Sequence, residues 1–191
     1  FYPLSSIQQG MVFYSKLLPE EPIYHDQFVY WVKIKEFNYD VYCKALSIAV
    51  QKHDILRTTF STEKFDIPIQ VVHKNGANEV GIEDISHMGL EERKNYIQEY
   101  LKKDLENKFS FEGGLLWRMK MYKVSSEDYC IALSFQHAIL DGWSVSVLNS
   151  EIIETYESLL KGIELEVYKP QSSYKDYVAI NMGRKISKDT Q

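Results

Sequence analysis

Helix-period and strand-period hydrophobicity alternate along this chain, which predicts an α/β domain with a mixed sheet covered by helices. Two further observations support that class. A chain of 191 residues with 45% hydrophobic positions can bury one sizeable core. Polar turn sequences separate the periodic segments, and no internal repeat or low-complexity stretch interrupts them.

Ser5 and Ser6 stand three residues before Gln8 and Gln9, a capping-box spacing that predicts a helix to about Leu17, stopped by Pro19. Phe28, Tyr30, Val32 and Ile34 then alternate with Val29 and Trp31. A strand apolar on both faces is expected inside a sheet. Asn38 is placed to cap a second helix that buries Tyr42, Ala45, Leu46 and Ala49. Ile55 to Phe60 reads as a strand. Ile67, Ile69 and Val71 read as another, which Pro68 puts at an edge or at its own start. Val80 to Ile85 reads as a short third.

After Ser86 a long amphipathic helix is expected, with Leu90, Ile97, Leu101 and Leu105 inward and a mixed-charge face, Asp104 included, in solvent. Leu115, Trp117, Met119 and Met121 alternate with Arg118 and Lys120, then turn through Ser125-Ser126-Glu127-Asp128 into a hairpin partner, Tyr129 to Phe135. Ser144 is expected to cap a helix burying Val145, Leu148, Ile152, Tyr156 and Leu159, with Gly162 closing it. A shorter helix from about Tyr174 to Met182 precedes a polar tail, Lys185 to Gln191, that has no apolar face to bury.

Lys and Arg total 22 against 27 Asp and Glu, for a net charge of -5, and no basic stripe exists to bind a nucleic-acid backbone. No apolar run reaches membrane-span length and no signal-peptide pattern opens the chain, so no membrane partner is expected. Cys43 and Cys130 lie far apart inside apolar patterns and read as reduced, buried thiols; with the five histidines they make no metal spacing. These features point to the cytoplasm, and the absence of an initial Met points to an excised piece.

One passage carries chemistry: Phe135-Gln136-His137-Ala138-Ile139-Leu140-Asp141-Gly142-Trp143-Ser144. It predicts a buried strand ending at Gln136 and a helix starting just after Gly142, so that His137, Asp141 and Gly142 fall on a strand-to-helix turn, where side chains project into clefts. Gly142 would permit close backbone approach and unusual dihedrals. Histidine exchanges a proton near neutrality. Taken alone, the His-x-x-x-Asp-Gly string is a weak signal and reads more often as a packed histidine beside a turn aspartate.

Three stretches together resemble the condensation domains of nonribosomal peptide synthetases. Tyr2-Pro3-Leu4-Ser5-Ser6-Ile7-Gln8-Gln9-Gly10-Met11 resembles that family's opening motif, and Lys52-His53-Asp54-Ile55-Leu56-Arg57-Thr58-Thr59-Phe60 resembles its second. Gln136 to Gly142 resembles its hallmark His-His-x-x-x-Asp-Gly, and Trp143-Ser144 continues the usual ending. The resemblance implies a chloramphenicol-acetyltransferase-like lobe over residues 1–191, the first of the two that enclose the family's active-site tunnel, with the C-terminal lobe absent from this chain. It also implies partners: donor and acceptor peptidyl carrier proteins, the second lobe, and an adjacent adenylation domain. No cofactor or metal is expected on this lobe, since the substrates ride on the phosphopantetheine arms of the carriers.

The implied reaction is attack of an acceptor amine on a donor thioester, with His137 acting as general base or as the group that positions the amine. Asp141 is expected to be structural, bridging Arg57 behind the histidine. Gln136 replaces the family's first histidine; it cannot titrate, and strand alternation should aim it away from His137. Trp143 and Ser144 are assigned to the substrate channel, although packing and capping would also account for them. His53 reads as a hydrogen-bonded helix end, and His25, His73 and His87 as ordinary polar positions. Tyr14, Tyr24 and Tyr30 would edge the channel or pack.

An epimerisation domain shares this motif, and a non-catalytic platform that docks carrier proteins is the alternative from another class. A cyclisation domain is disfavoured because position 137 keeps its histidine. A stand-alone acetyltransferase is disfavoured because helical sequence follows His137. The isolated lobe is expected to turn over little or nothing.

Overall fold

The computed structural model describes residues 1–76, 80–163, 165, 167, 170 and 172–189, with 184–189 described by backbone alone. In chain order the elements are β1 (Tyr2–Pro3), α1 (Ser6–Leu17), β2 (His25–Lys33), α2 (Tyr39–Lys52), a 3-10 turn (Asp54–Arg57), β3 (Thr58–Ser61) and β4 (Ile69–Val72). There follow β5 (Gly81–Asp84), α3 (Leu90–Glu106), β6 (Trp117–Lys123), β7 (Asp128–Gln136), α4 (Gly142–Leu160) and α5 (Tyr174–Asp189).

Among the described residues the strands form two sheets. A four-stranded mixed sheet has the order β2-β7-β6-β5, parallel only between β5 and β6. A small antiparallel sheet has the order β1-β4-β3. Alternation along the central hairpin sets the layers. Met119, Met121, Ile131, Leu133 and Phe135 point to one side, where Ala45, Leu46 and Ala49 of α2 and Val145, Leu148 and Ile152 of α4 close the main core. Tyr122 and Cys130 point to the other side, where Ile85 and Ile97 form a second cluster under α3. Burial pushes the Cys130 thiol up to about 11, which keeps it unreactive.

The capping box forms between Ser5 and Gln8, Asn38 caps α2 through the Val41 amide, and Gly162 follows α4 with φ 73°. The β6–β7 hairpin turns where predicted, and Pro68 falls immediately before β4.

Several expectations are corrected. The strand β2 lies at an edge of the four-stranded sheet, paired among the described residues with β7 alone, and its outward Val29 and Trp31 are 37% and 59% exposed; within that sheet it is β7 that is buried on both faces. The stretch from Ile55 to Phe60 is not one strand. A 3-10 turn occupies its first half, where the Thr58 hydroxyl donates to the Asp54 carbonyl. In α3, Leu90 is 66% exposed whereas Asp104 is buried, so the helix turns a charged residue inward. Asp141, not Ser144, caps α4: its carboxylate accepts the Ser144 amide at 2.7 Å. The last helix extends past Met182 to Asp189, while the burial of the tail and residues 190–191 lie outside the described residues.

Candidate functional site

The β7 strand ends at Gln136 and α4 begins at Gly142, and the intervening turn forms the floor of an open cleft of about 620 Å³. His137, Asp141, Trp143 and Ser144 line it from that turn and the first turn of α4. Ile7 and Met11 of α1 supply one wall, and His53, Ile55 and Leu56 supply another. The cleft is mainly apolar, with few polar groups converging on it, which is the usual character of a small-molecule or substrate site.

Gln8 makes the turn rigid. It is 2% exposed, donates from Nε2 to the Ala138 carbonyl at 3.1 Å, and accepts from the Ser5 amide and from Gln70 Nε2, both at 2.9 Å. The opening motif therefore braces the histidine turn directly. The second motif braces its flank: Trp117 Nε1 donates to the Leu56 carbonyl at 2.7 Å, and His53 Nε2 lies 2.7 Å from Glu151 on α4. Burial works against ionisation of Glu151, but hydrogen bonds from Lys52 and His53 outweigh it and hold the carboxyl below its ordinary range.

His137 is held by Asp26 at the start of β2 and by Tyr24 just before it. Its Nδ1 lies 2.5 Å from an Asp26 carboxylate oxygen, and its backbone N–H donates to the Tyr24 carbonyl at 2.7 Å. The Tyr24 ring lies beside the imidazole in an offset, near-parallel arrangement, centroids 6.4 Å apart and planes 27° apart. Tyr24 itself sits at φ 60°, a conformation that costs a non-glycine residue on the order of 1–3 kcal/mol and tends to persist at functional sites. An Nδ1–H donated to Asp26 leaves Nε2 as the lone-pair nitrogen on a ring that lines the cleft.

Other predicted residues fall elsewhere. Asp141 and Arg57 form no bridge. Arg57 is buried rather than on the surface, and it pairs with Asp54 and donates to the His73 carbonyl at 2.5 Å. Asp141 is used as the α4 cap. Hydrogen bonds from Ser144 hold its carboxyl below the ordinary range, and the neighbouring His137 adds to the effect. Gln136 is 4% exposed and turns to the α3 side, lining a separate hollow with His25 and Phe109, as strand alternation requires. Gly142 is an ordinary first helical residue with open space around its Cβ position and no positive φ, so neither unusual dihedrals nor close approach explains it. Trp143 is 80% exposed beside the cleft, so it is not part of this chain's core. Ser144 lies within the first turn of α4 as a wall residue.

Two groups escape a reading of the sequence. Asp26 carries no local signal, because its partner lies 111 positions away and only the pairing of Asp26 with Phe135 brings the two together. His25, which reads as an ordinary polar position, is buried and meets Asp104 together with the half-buried Gln27: His25 Nε2 lies 3.1 Å and Gln27 Nε2 lies 2.6 Å from the same oxygen. Ser134 at 2.6 Å and Arg118 complete that set. Burial would raise the Asp104 carboxyl, but hydrogen bonds from His25, Ser134, Arg118 and Gln27 prevail and hold it far below the carboxylate range.

Helices packed on a mixed sheet thus present His137 from a strand-to-helix turn into an open cleft. The chain matches the Condensation domain family over residues 1–191, and it belongs to that family. Its curated relatives include a mycosubtilin synthase polypeptide of Bacillus subtilis, 30% identical over 84% of this chain and 6% of that protein. Another is bacitracin synthase 1 of Bacillus licheniformis, 29% identical over 93% of this chain and 3% of that protein. The chain thus spans a small part of the relatives it matches. Among solved structures, the starter condensation domain of rhizomide synthetase superposes with a TM-score of 0.82 at 18% identity, covering 97% of this chain and 45% of that one. A four-domain nonribosomal peptide synthetase, solved with AMP and glycine, superposes with a TM-score of 0.72 at 18% identity, covering 94% of this chain and 13% of that one. These likenesses establish the fold.

Proposed function

We propose that this chain is the N-terminal lobe of a condensation domain that joins a carrier-bound donor acyl or peptidyl thioester to the amine of a carrier-bound aminoacyl acceptor. The observation that carries this reading is His137: its Nδ1 is committed to Asp26 and its ring faces an open cleft. The acceptor's α-amine titrates at about 7.7–8.0 in model compounds, so part of it is protonated near neutrality and a proton must leave during reaction. The amine lone pair forms the new C–N bond and the C–S bond of the thioester breaks. The proton lost from nitrogen passes by way of His137 Nε2 to the departing thiolate of the donor arm.

Acting as a base, one well-placed group supplies roughly 10²–10⁴-fold. Holding the amine against an activated thioester supplies more, so His137 acts chiefly as the positioning partner of the amine. Donor and acceptor arrive on phosphopantetheine arms, and the opposite wall of the tunnel comes from a second lobe. An adenylation domain loads the carriers, and the work is done in the cytoplasm, where Cys43 and Cys130 stay reduced.

The test uses the full-length protein with loaded donor and acceptor carriers, following acyl transfer by intact-mass spectrometry. Native protein should transfer, and a folded H137A variant should lose transfer. No transfer by native protein despite carrier binding would overturn the reading in favour of epimerisation or docking.

A further inference from the structure

The start of β2 is held from both faces, and the two attachments explain each other. On the α3 side, His25 and Gln27 both reach one oxygen of the buried Asp104, which Ser134 and Arg118 also hold. Between these two anchored residues, Asp26 must point to the opposite face, because side chains alternate along a strand. There it meets Nδ1 of His137 at 2.5 Å, while the strained Tyr24 supplies a carbonyl for the His137 amide and a ring beside its imidazole.

From this geometry we infer that Asp26 is a positioning residue for the acyl-transfer reaction: its carboxylate holds His137 with the proton on Nδ1 and the lone pair of Nε2 toward the acceptor amine. The inference rests on the reading of His137 given above. Asp141, the acid that belongs to the family-like motif itself, does not do this, because its carboxylate accepts the Ser144 amide at the α4 cap. His53, which also lines the cleft, is engaged with Glu151. Asp26 is therefore the acidic group in hydrogen-bond contact with His137 among the described residues. Without it, the neutral imidazole is free to place its proton on Nε2, which turns the cleft-facing nitrogen into a donor that cannot accept from an amine.

The test measures carrier-to-carrier acyl transfer by the full-length protein with native residue, D26A, D26N and H137A, each checked by thermal unfolding. D26A should lower kcat roughly 10²–10³-fold, within the range that misplacing the proton of an acid-held histidine costs. KM for the acceptor carrier should move less than about threefold, since the lost interaction belongs to the transition state. Added formate, a free carboxylate small enough for the vacated position, should restore transfer in D26A and leave H137A inactive. D26N keeps the side-chain shape and a carbonyl acceptor but loses the negative charge and gains an NH2 donor, so its loss of kcat at an unchanged melting temperature would show that the carboxylate's charge matters rather than packing.

If D26A and D26N transfer like native protein while H137A fails, the role of Asp26 is overturned and that of His137 stands. If D26A fails, melts early and does not respond to formate, Asp26 is structural and the inference is also overturned. If H137A transfers like native protein, the reading of His137 falls first.

Discussion

Gln8 shows how one side chain can carry a motif's purpose. Its amide joins the first turn of α1, the inner strand of the small sheet and the carbonyl of Ala138 in the histidine turn. Replacing it with Leu keeps its volume but strands the Ala138 carbonyl and one Gln70 donor in a buried place. Q8L should therefore cost about 1–3 kcal/mol in denaturant unfolding, and transfer should fall because the turn carrying His137 loses its brace. Gln136 sits on the other side of the sheet from the cleft, so Q136H should leave the transfer rate near native. A large gain in rate would instead mean that residue 136 acts on His137 through the strand.

At the scale of the element, the α4 cap and the α3–sheet contact make different demands on their aspartates. Asp141 is an exposed cap. D141A should destabilise by about 0.5–2 kcal/mol, and D141N, which still caps, by much less. A bridge to Arg57 would instead cost about 3–5 kcal/mol on removal of either partner, so thermal melts of the two variants separate these accounts. Asp104 is the opposite case, a carboxylate turned inward from α3 toward Arg118, Ser134, His25 and Gln27. Its folded-state pKa is depressed, so the stability it contributes is present above the unfolded value of about 3.9 and is lost as pH falls toward the lower folded value. Melting temperature should drop as pH is lowered below about 4, and D104N should both flatten that dependence and destabilise at neutral pH by about 3–5 kcal/mol.

The chain as a whole leaves its cleft open. Ile7, Trp143 and Val147 stand 64%, 80% and 49% exposed around it, more apolar surface than a finished substrate tunnel would leave in water. On the two-lobe reading, the 191-residue chain alone should form no amide between loaded carriers, and adding the remainder of the domain in trans or in one polypeptide should restore transfer. Amide formation by the lobe alone at the full domain's rate would contradict it.

Local information determined a great deal. Period-2 and period-3.6 patterns placed most strands and helices, since each needs only its own residues to define a buried face. The Ser5–Gln8 box, the Asn38 cap and the β6–β7 turn were legible because their partners lie three or four residues apart. The position of His137 at a strand-to-helix turn was legible for the same reason. Only the tertiary structure decided what depends on register and layer. Strand order put β2 at an edge although it is apolar on both faces. Packing of α3 turned Asp104 inward against its charged pattern. Antiparallel pairing of β2 with β7 carried Asp26 to His137 across 111 positions of sequence. A hydrogen bond acts over about 3 Å and periodicity records only which face a residue takes, so the chain reveals which residues are buried together before it reveals which two of them touch.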